Sequence, residues 1–321
     1  MSGIHVVAVD ATHALELVAL AAGIVGSHAG APSAVHLVSL GACAVAPGDA
    51  EAAGAATVTV LDAGDVGVRP EAYAPALVAL LAEQGTDLLL VGAGVSGWEI
   101  AARVATALGL GLVSEASALR RADGGWVTER VVFAGGAVQT ETWHGPAVVT
   151  VAPGRGQATP GRVSAVGSLV ERTVPVEVDG RVQTVARTTR PVDAVDLAGA
   201  ARVVCVGMGV GSRDDLATVV DLADALGAEI ACTRPVAEDR EWLPTSRYIG
   251  ISGVTVRPDL YLGVGVSGQV QHTVGMRESR VVVGIDTNPD ATLLAQSDIA
   301  VVGDQREIVP LLIDALRASH P

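Results

Sequence analysis

The feature that most limits what this chain can become is a repeated alternation of short, compact apolar runs with longer stretches of helical period. Ile4-His-Val-Val-Ala-Val9 closes on Asp10 and leads into a helical pattern through Val25; Val35-His-Leu-Val-Ser39 and Thr57-Val-Thr-Val60 read as further strands. A helical stretch from Glu71 to Glu83 precedes Asp87-Leu-Leu-Leu-Val91. A short run of that kind, without polar alternation, is what a parallel sheet covers on both faces. Trp98 to Leu108 reads as the next helix. Strand and helix taken in turn predict an α/β fold with a mostly parallel sheet and flanking helices.

The alternation breaks once and then restarts. From Trp126 to Val151, strand-like pieces separated by Gly135-Gly136 and His144-Gly-Pro146 predict a partly antiparallel section. Ala152 to Gly199 is rich in Gly, Pro, Thr and Arg, with one strand candidate at Thr173 to Val178, and reads as the connection between domains. Arg202-Val-Val-Cys-Val206 then opens a second series: a helix from Asp214 to Leu226, strands at Glu229 to Cys232, Leu260 to Val264, Arg280 to Ile285 and Ile299 to Val302, and a final helix from Gln305 to Arg317. At 321 residues the chain accommodates two α/β domains, expected at 1–190 and 201–321 with a linker at 191–200.

Composition removes several function classes. Half the residues are apolar but only 2% aromatic, so Val, Ala and Leu must fill the cores. The net charge of −14 repels a phosphate backbone, which argues against nucleic acid as a partner. Every basic residue is Arg, so no Lys exists for a Schiff base or a Walker-type phosphate grip. Cys43, Cys205 and Cys232 are too few and too scattered for a disulfide framework or a CxxC site, and read as buried, reduced thiols. The seven histidines show no HxxxH spacing, so no metal site is expected. The apolar stretch Ala14 to Gly26 is too short to span a bilayer and carries Glu16; the expectation is a cytoplasmic protein without membrane insertion.

Three glycine-rich turns could carry chemistry. Gly92-Ala-Gly94-Val-Ser-Gly97 matches GxGxxG but follows about the fourth strand of its domain, so it reads as a tight strand-to-helix turn more than as a phosphate cradle. Gly207-Met208-Gly209-Val-Gly211-Ser212 follows the first strand of its domain, the better place for a backbone to approach a cofactor. The next strand ends in Cys232-Thr233-Arg234 with no acid, so an NAD ribose clamp is not supported. In Gly265-Val-Ser267-Gly268-Gln-Val-Gln271-His272, Ser267 can cap a helix, Gly268 admits a ligand, and Gln271 and His272 follow one turn later.

The second-domain strings DLAGAARVVCVGMGVGS, VVDLADALGAEIACTRPVAED, RYIGISGVTVRPDLYLGVGVSGQVQHTVGM, VVVGIDTNPDATLLAQSDIAVVGD and REIVPLLIDALR together resemble the electron-transfer flavoprotein alpha family, over about Asp196 to Leu316. The first domain resembles it more loosely, in VATALGLGLVSEA and RVVFAGGAVQTETW, and the loop TRPVAEDREWLPTSRYIGISG resembles the nitrogen-fixation-associated, Fix-type branch. The resemblance implies a heterodimer with a beta subunit, FAD in a Rossmann-like second domain of this chain, and electron transfer from dehydrogenases to an acceptor such as a quinone reductase. A nucleotide-binding oxidoreductase, or a flavin-free regulatory subunit of the same fold, are the alternatives.

By the same resemblance, Thr233 and Arg234 belong to the flavin site, with Arg234 over the isoalloxazine. Ile249, Gly250 and Ile251 line one edge, and Ser252 offers its hydroxyl near N5 or O4. Ser267, Gly268, Gln269, Val270 and Gln271 follow the ribityl chain and pyrophosphate, His272 stands near the N1–C2=O edge as a cation or donor, and Asp286, Asp304 and Gln305 hold the adenosine end. A one-electron carrier has to stabilise negative charge gathered near N1 and O2, which is why a cation or strong donor is expected there. Four positions depart from the family pattern: Met208 stands where Arg is frequent, Ile251 where Gln is, Ser252 where Thr is, and Asp286 where Asn is.

Overall fold

The computed structural model describes residues 3–25, 34–41, 43, 45–64, 66–122, 124–133, 136–153, 169–186, 188 and 196–319. The chain separates into two compact units, Met1–Arg187 and Thr188–Pro321.

The first unit alternates β1 (Ile4–Ala8), α1 (Ala11–Ile24), β2 (Val35–Leu40), α2 (Pro47–Ala53), β3 (Thr57–Asp62), α3 (Pro70–Gln84), β4 (Leu88–Gly92) and α4 (Val95–Leu108). Local chemistry sets the element ends: the Asp10 carboxylate accepts from the His13 N–H at 2.8 Å and starts α1, while Gly109, in the left-handed region at φ +66°, ends α4. Then come β5 (Gly111–Ala116), β6 (Ala118–Ala122), β7 (Gly125–Val132), β8 (Ala137–Trp143), β9 (Ala147–Val151) and β10 (Val170–Pro175).

Seven of these strands form one parallel sheet in the order β10-β3-β2-β1-β4-β9-β5. Alternate residues of β1 point to opposite faces, Ile4, Val6 and Ala8 into one apolar cluster and Val7 into the other, so the sheet is buried on both sides. The antiparallel section is a separate three-stranded sheet, β6-β7-β8, lying between β5 and β9 in sequence; β9 then returns to the parallel sheet between β4 and β5.

The stretch expected as an inter-domain connection requires correction. Residues 170–175 form β10, the edge strand that pairs with β3 along its whole length, so this part belongs to the first sheet. The strand candidate at Thr173 to Val178, inside the expected first domain, overlaps it but is displaced by three residues, because the pairing that sets its bounds comes from a strand more than a hundred residues earlier. Residues 154–168 and 191–195, which include the first half of the expected linker, lie outside the described residues.

The second unit contains β11 (Arg202–Val206), α5 (Arg213–Leu226), β12 (Glu229–Cys232), α6 (Arg234–Glu238), β13 (Leu260–Val264), α7 (Val270–Thr273), β14 (Val282–Asp286), α8 (Thr292–Gln296), β15 (Ile299–Val302) and α9 (Gln305–Ser319). All five strands are parallel, in the order β12-β11-β13-β14-β15. Connections run one way from β11 to β12 and the other way from β13 onward, so the loops after β11 and β13 diverge and leave a crevice at the carboxyl edge between them. Among the described residues no helix is long and apolar enough to cross a membrane.

Candidate functional site

The floor of that crevice is backbone packed on backbone. Gly209 donates its N–H to the Gly265 carbonyl at 2.9 Å, and Gly207 donates to Val264 at 2.9 Å. A Cβ on Gly207 would stand 2.0 Å from the Gly265 oxygen, and one on Gly209 would stand 2.7 Å from the Gly265 Cα. Gly265 itself has φ +62°. The two strand-end loops can lie this close only because no side chain intervenes.

Above this floor lies a cavity of about 490 Å³, within the range of small-molecule and cofactor sites. Its wall includes Met208 and Gly209 after β11, Thr233, Arg234 and Pro235 after β12, Tyr248 to Ser252 from the long loop before β13, Gly265 to Gln269 with Gln271 and His272 after β13, and Asp286 at the end of β14. Tertiary structure thus gathers twelve of the fifteen residues singled out from sequence; Val270, Asp304 and Gln305 are not part of the wall. The Asp304 carboxylate accepts from the Arg306 N–H at 2.9 Å and so caps the start of α9.

Each wall segment has a local cause. Thr233 continues β12 by donating its N–H to Val206 at 2.9 Å, and Pro235 then starts α6 without needing a backbone donor. Ile249 donates to Cys232 at 3.0 Å and Ile251 to the Gln271 carbonyl at 2.8 Å, which presses residues 249–251 against the turn after β13. Gly250, at φ +152°, permits that contact, since a Cβ would come 2.7 Å from the Gln271 oxygen. The Tyr248 hydroxyl donates to the Ser252 carbonyl and closes the loop on itself.

Two sequence expectations are corrected here. Ser267 does not cap a helix: Gly265 and Gly268, at φ +62° and +79°, keep that stretch out of the helical region. The helix that follows, α7, has only four residues and no side-chain cap. A turn of that length has little dipole to offer, so the loop's own N–H groups and hydroxyls are the anion-binding chemistry available. Secondly, of the two roles expected of His272, cation or donor, its surroundings disfavour the first. Its ring is 7% exposed, its Nδ1 lies 2.9 Å from the Ile249 carbonyl and its Nε2 lies 2.7 Å from the Tyr261 hydroxyl. Burial pushes its pKa down from 6.5 to about 4.

Arg234 is then the one cationic side chain on the wall among the described residues; it is 65% exposed and sits 3.7 Å from Glu238 one turn along α6. The turn that carries Met208 is held from behind: Arg240 donates to the Met208 carbonyl at 3.3 Å and to the Val210 carbonyl, with its guanidinium stacked 4.4 Å over Trp242. The Thr233 hydroxyl is buried without a hydrogen-bond partner. An orphaned hydroxyl, serine and amide side chains, one cation at the mouth and a glycine floor fit a flavin dinucleotide, which needs polar groups at defined points along an otherwise apolar cleft.

Sequence reasoning missed Tyr248, Pro235, Tyr261 and Arg240. A tyrosine inside an apolar strand such as β13 is itself a signal, because a buried hydroxyl requires a partner. The other three declare themselves only through the folded loop.

The description "Electron transfer flavoprotein FAD-binding domain" matches residues 196–277, and "Electron transfer flavoprotein domain" matches residues 9–178. YdiR of Escherichia coli (strain K12), which bears the name of an electron transfer flavoprotein subunit, is 38% identical over 259 residues, 80% of this chain and 82% of its own. Protein FixB of Escherichia coli O139:H28 (strain E24377A / ETEC) is 36% identical over 250 residues, 77% of this chain and 79% of its own.

Proposed function

The chain belongs to the electron transfer flavoprotein alpha-subunit family, whose second domain binds FAD, and from that premise we propose that the cavity between β11 and β13 is its flavin site. The observation that carries this reading is the convergence of Thr233, Arg234, residues 249–252, residues 265–269, Gln271, His272 and Asp286 on one cavity at the switch point of the sheet.

FAD supplies the electron chemistry when bound; the protein orients it and sets its potential. Arg234 supplies positive charge at the mouth and favours the reduced state by direct Coulomb attraction. Ser252 and the unpartnered Thr233 hydroxyl supply short polar contacts along the wall. The N–H groups and hydroxyl of the Ser267-Gly268 loop would hold the phosphates, and Asp286 at the end of β14 would accept from a ribose. Met208 contributes an apolar surface where a cation would otherwise raise the potential further.

Members of this family pair with a beta subunit and pass electrons on. For this chain the partners are a beta subunit that completes the cavity, flavin dehydrogenases as donors and a quinone reductase as acceptor; the FixB likeness favours the Fix-type branch. Co-purification with the beta subunit tests the reading. A yellow heterodimer that loses most of its flavin on Arg234→Ala combined with Ser267→Ala supports it, and retention of flavin by that variant overturns the placement.

A further inference from the structure

The turn after β11 supplies Met208 and Gly209 to the cavity wall, yet Gly207, Gly209 and Gly211 leave its peptide groups with little in their own sequence to orient them. Val210 is fully buried and anchors the middle of the turn in the core. A buried side chain does not by itself fix which way the peptide units on either side of it point. The Gly209 N–H ties the turn to the Gly265 carbonyl of the loop after β13. Its carbonyls have a different partner. One guanidinium nitrogen of Arg240 donates to the Met208 carbonyl at 3.3 Å and another donates to the Val210 carbonyl. Arg240 is not on the cavity wall, so both carbonyls are drawn toward a cation outside the cavity.

Arg240 is itself held in place. Its N–H donates to the Pro235 carbonyl at 3.0 Å and the Trp242 N–H donates to Val236 at 3.1 Å, which folds the chain back onto α6. Glu241, in the left-handed region at φ +50°, makes that return, and the Trp242 ring then lies 4.4 Å beneath the guanidinium. A planar fork stacked on an aromatic face loses little freedom on bonding, and charged donors make stronger hydrogen bonds than neutral ones. Thr233 and Arg234 on the wall belong to the same segment of chain, so Arg240 joins the loop after β12 to the turn after β11.

We propose that Arg240 is a positioning residue for the flavin site: it holds the Met208 and Val210 carbonyls turned away from the cavity. The negative ends of two peptide dipoles are thereby kept off the wall beside which a reduced cofactor carries its added charge. Its effect on potential rests on the flavin reading, whereas its grip on the turn concerns this chain alone.

The test uses the full alpha chain with its beta subunit, carrying Arg240→Gln or Arg240→Lys. Amide hydrogen exchange at residues 207–211 should quicken about tenfold or more in Arg240→Gln, because two charged hydrogen bonds are lost, while exchange in β14 keeps its wild-type rate. With flavin bound, the first reduction potential of Arg240→Gln should fall by about 59 mV, a tenfold loss of electron affinity. Arg240→Lys keeps the charge without the two-armed donor, so it should lie between the two in potential and leave exchange at the turn raised. Wild-type exchange and potential in Arg240→Gln, equal quickening in β14 and the turn, or full recovery of exchange by Arg240→Lys overturns the proposal. Should Arg240→Gln fail to fold, Arg240→Lys decides alone: raised exchange confined to the turn supports the grip, and wild-type exchange overturns it. A flavin-free wild-type heterodimer would overturn the flavin reading, and the exchange measurement would still stand.

Discussion

Gly209 and Gly265 meet backbone to backbone: the N–H of one donates to the carbonyl of the other at 2.9 Å, and a Cβ on Gly265 would stand 2.8 Å from the Gly209 carbonyl carbon. This contact joins the loops after β11 and β13 and forms the floor on which the flavin is proposed to rest. Replacing Gly265 with Ala forces a side chain into a left-handed conformation and against fixed backbone. The expected result is a loss of about 1–3 kcal/mol in urea denaturation and a larger loss of retained flavin.

Arg234 should act on potential and hardly on stability. Its partner Glu238 is 3.7 Å away and both side chains are exposed, so the pair contributes less than about 1 kcal/mol. Arg234→Gln should leave the melting temperature nearly unchanged and lower the first reduction potential by about 59 mV or more, a tenfold loss of electron affinity. An unchanged potential would place the guanidinium away from the flavin.

Asp304 has a competing assignment that one variant decides. Its carboxylate caps α9 through the Arg306 N–H and is not on the cavity wall. Asp304→Ala should therefore cost about 1 kcal/mol of stability while FAD affinity, measured by fluorescence titration of the deflavinated heterodimer, stays within twofold. A strong loss of affinity with unchanged stability would restore the adenosine-end role.

The first unit should weaken in mild acid. His5 on β1 and His36 on β2 are register partners with ring centroids 4.8 Å apart, and burial lowers the pKa of both, that of His5 from 6.5 to about 4. A histidine that binds its proton more weakly when folded favours unfolding below its unfolded pKa, so stability is full above about pH 6.5 and falls as pH drops toward 4. At about 1.4 kcal/mol per tenfold in proton affinity, His5 alone accounts for roughly 3 kcal/mol over that window. Urea midpoints measured from pH 7.5 to 4.5 should show this decline, and His5→Gln should flatten it.

The parts legible in sequence are those whose cause is local. Unbroken apolar runs identify strands buried on both faces, glycine at a strand end marks close backbone approach, and the string from Arg247 to Met276 contains most of the cavity wall within thirty consecutive residues. Val170 to Pro175 was harder, because an edge strand takes its definition from the neighbour it pairs with.

His272 shows the boundary most clearly. Its sequence neighbours suggest a ligand-site histidine, and the cavity does include it. Its proton affinity, however, is lowered by burial, and the groups it meets are Tyr261 and Cys205 from two adjacent parallel strands and the Ile249 carbonyl from a separate loop. From sequence alone came the two α/β units, the glycine turns and most of the candidate site residues. Tertiary structure alone decided which of those residues share one cavity and which of them are charged, because proton affinity depends on desolvation and on partners that only the folded sheet brings within hydrogen-bonding distance.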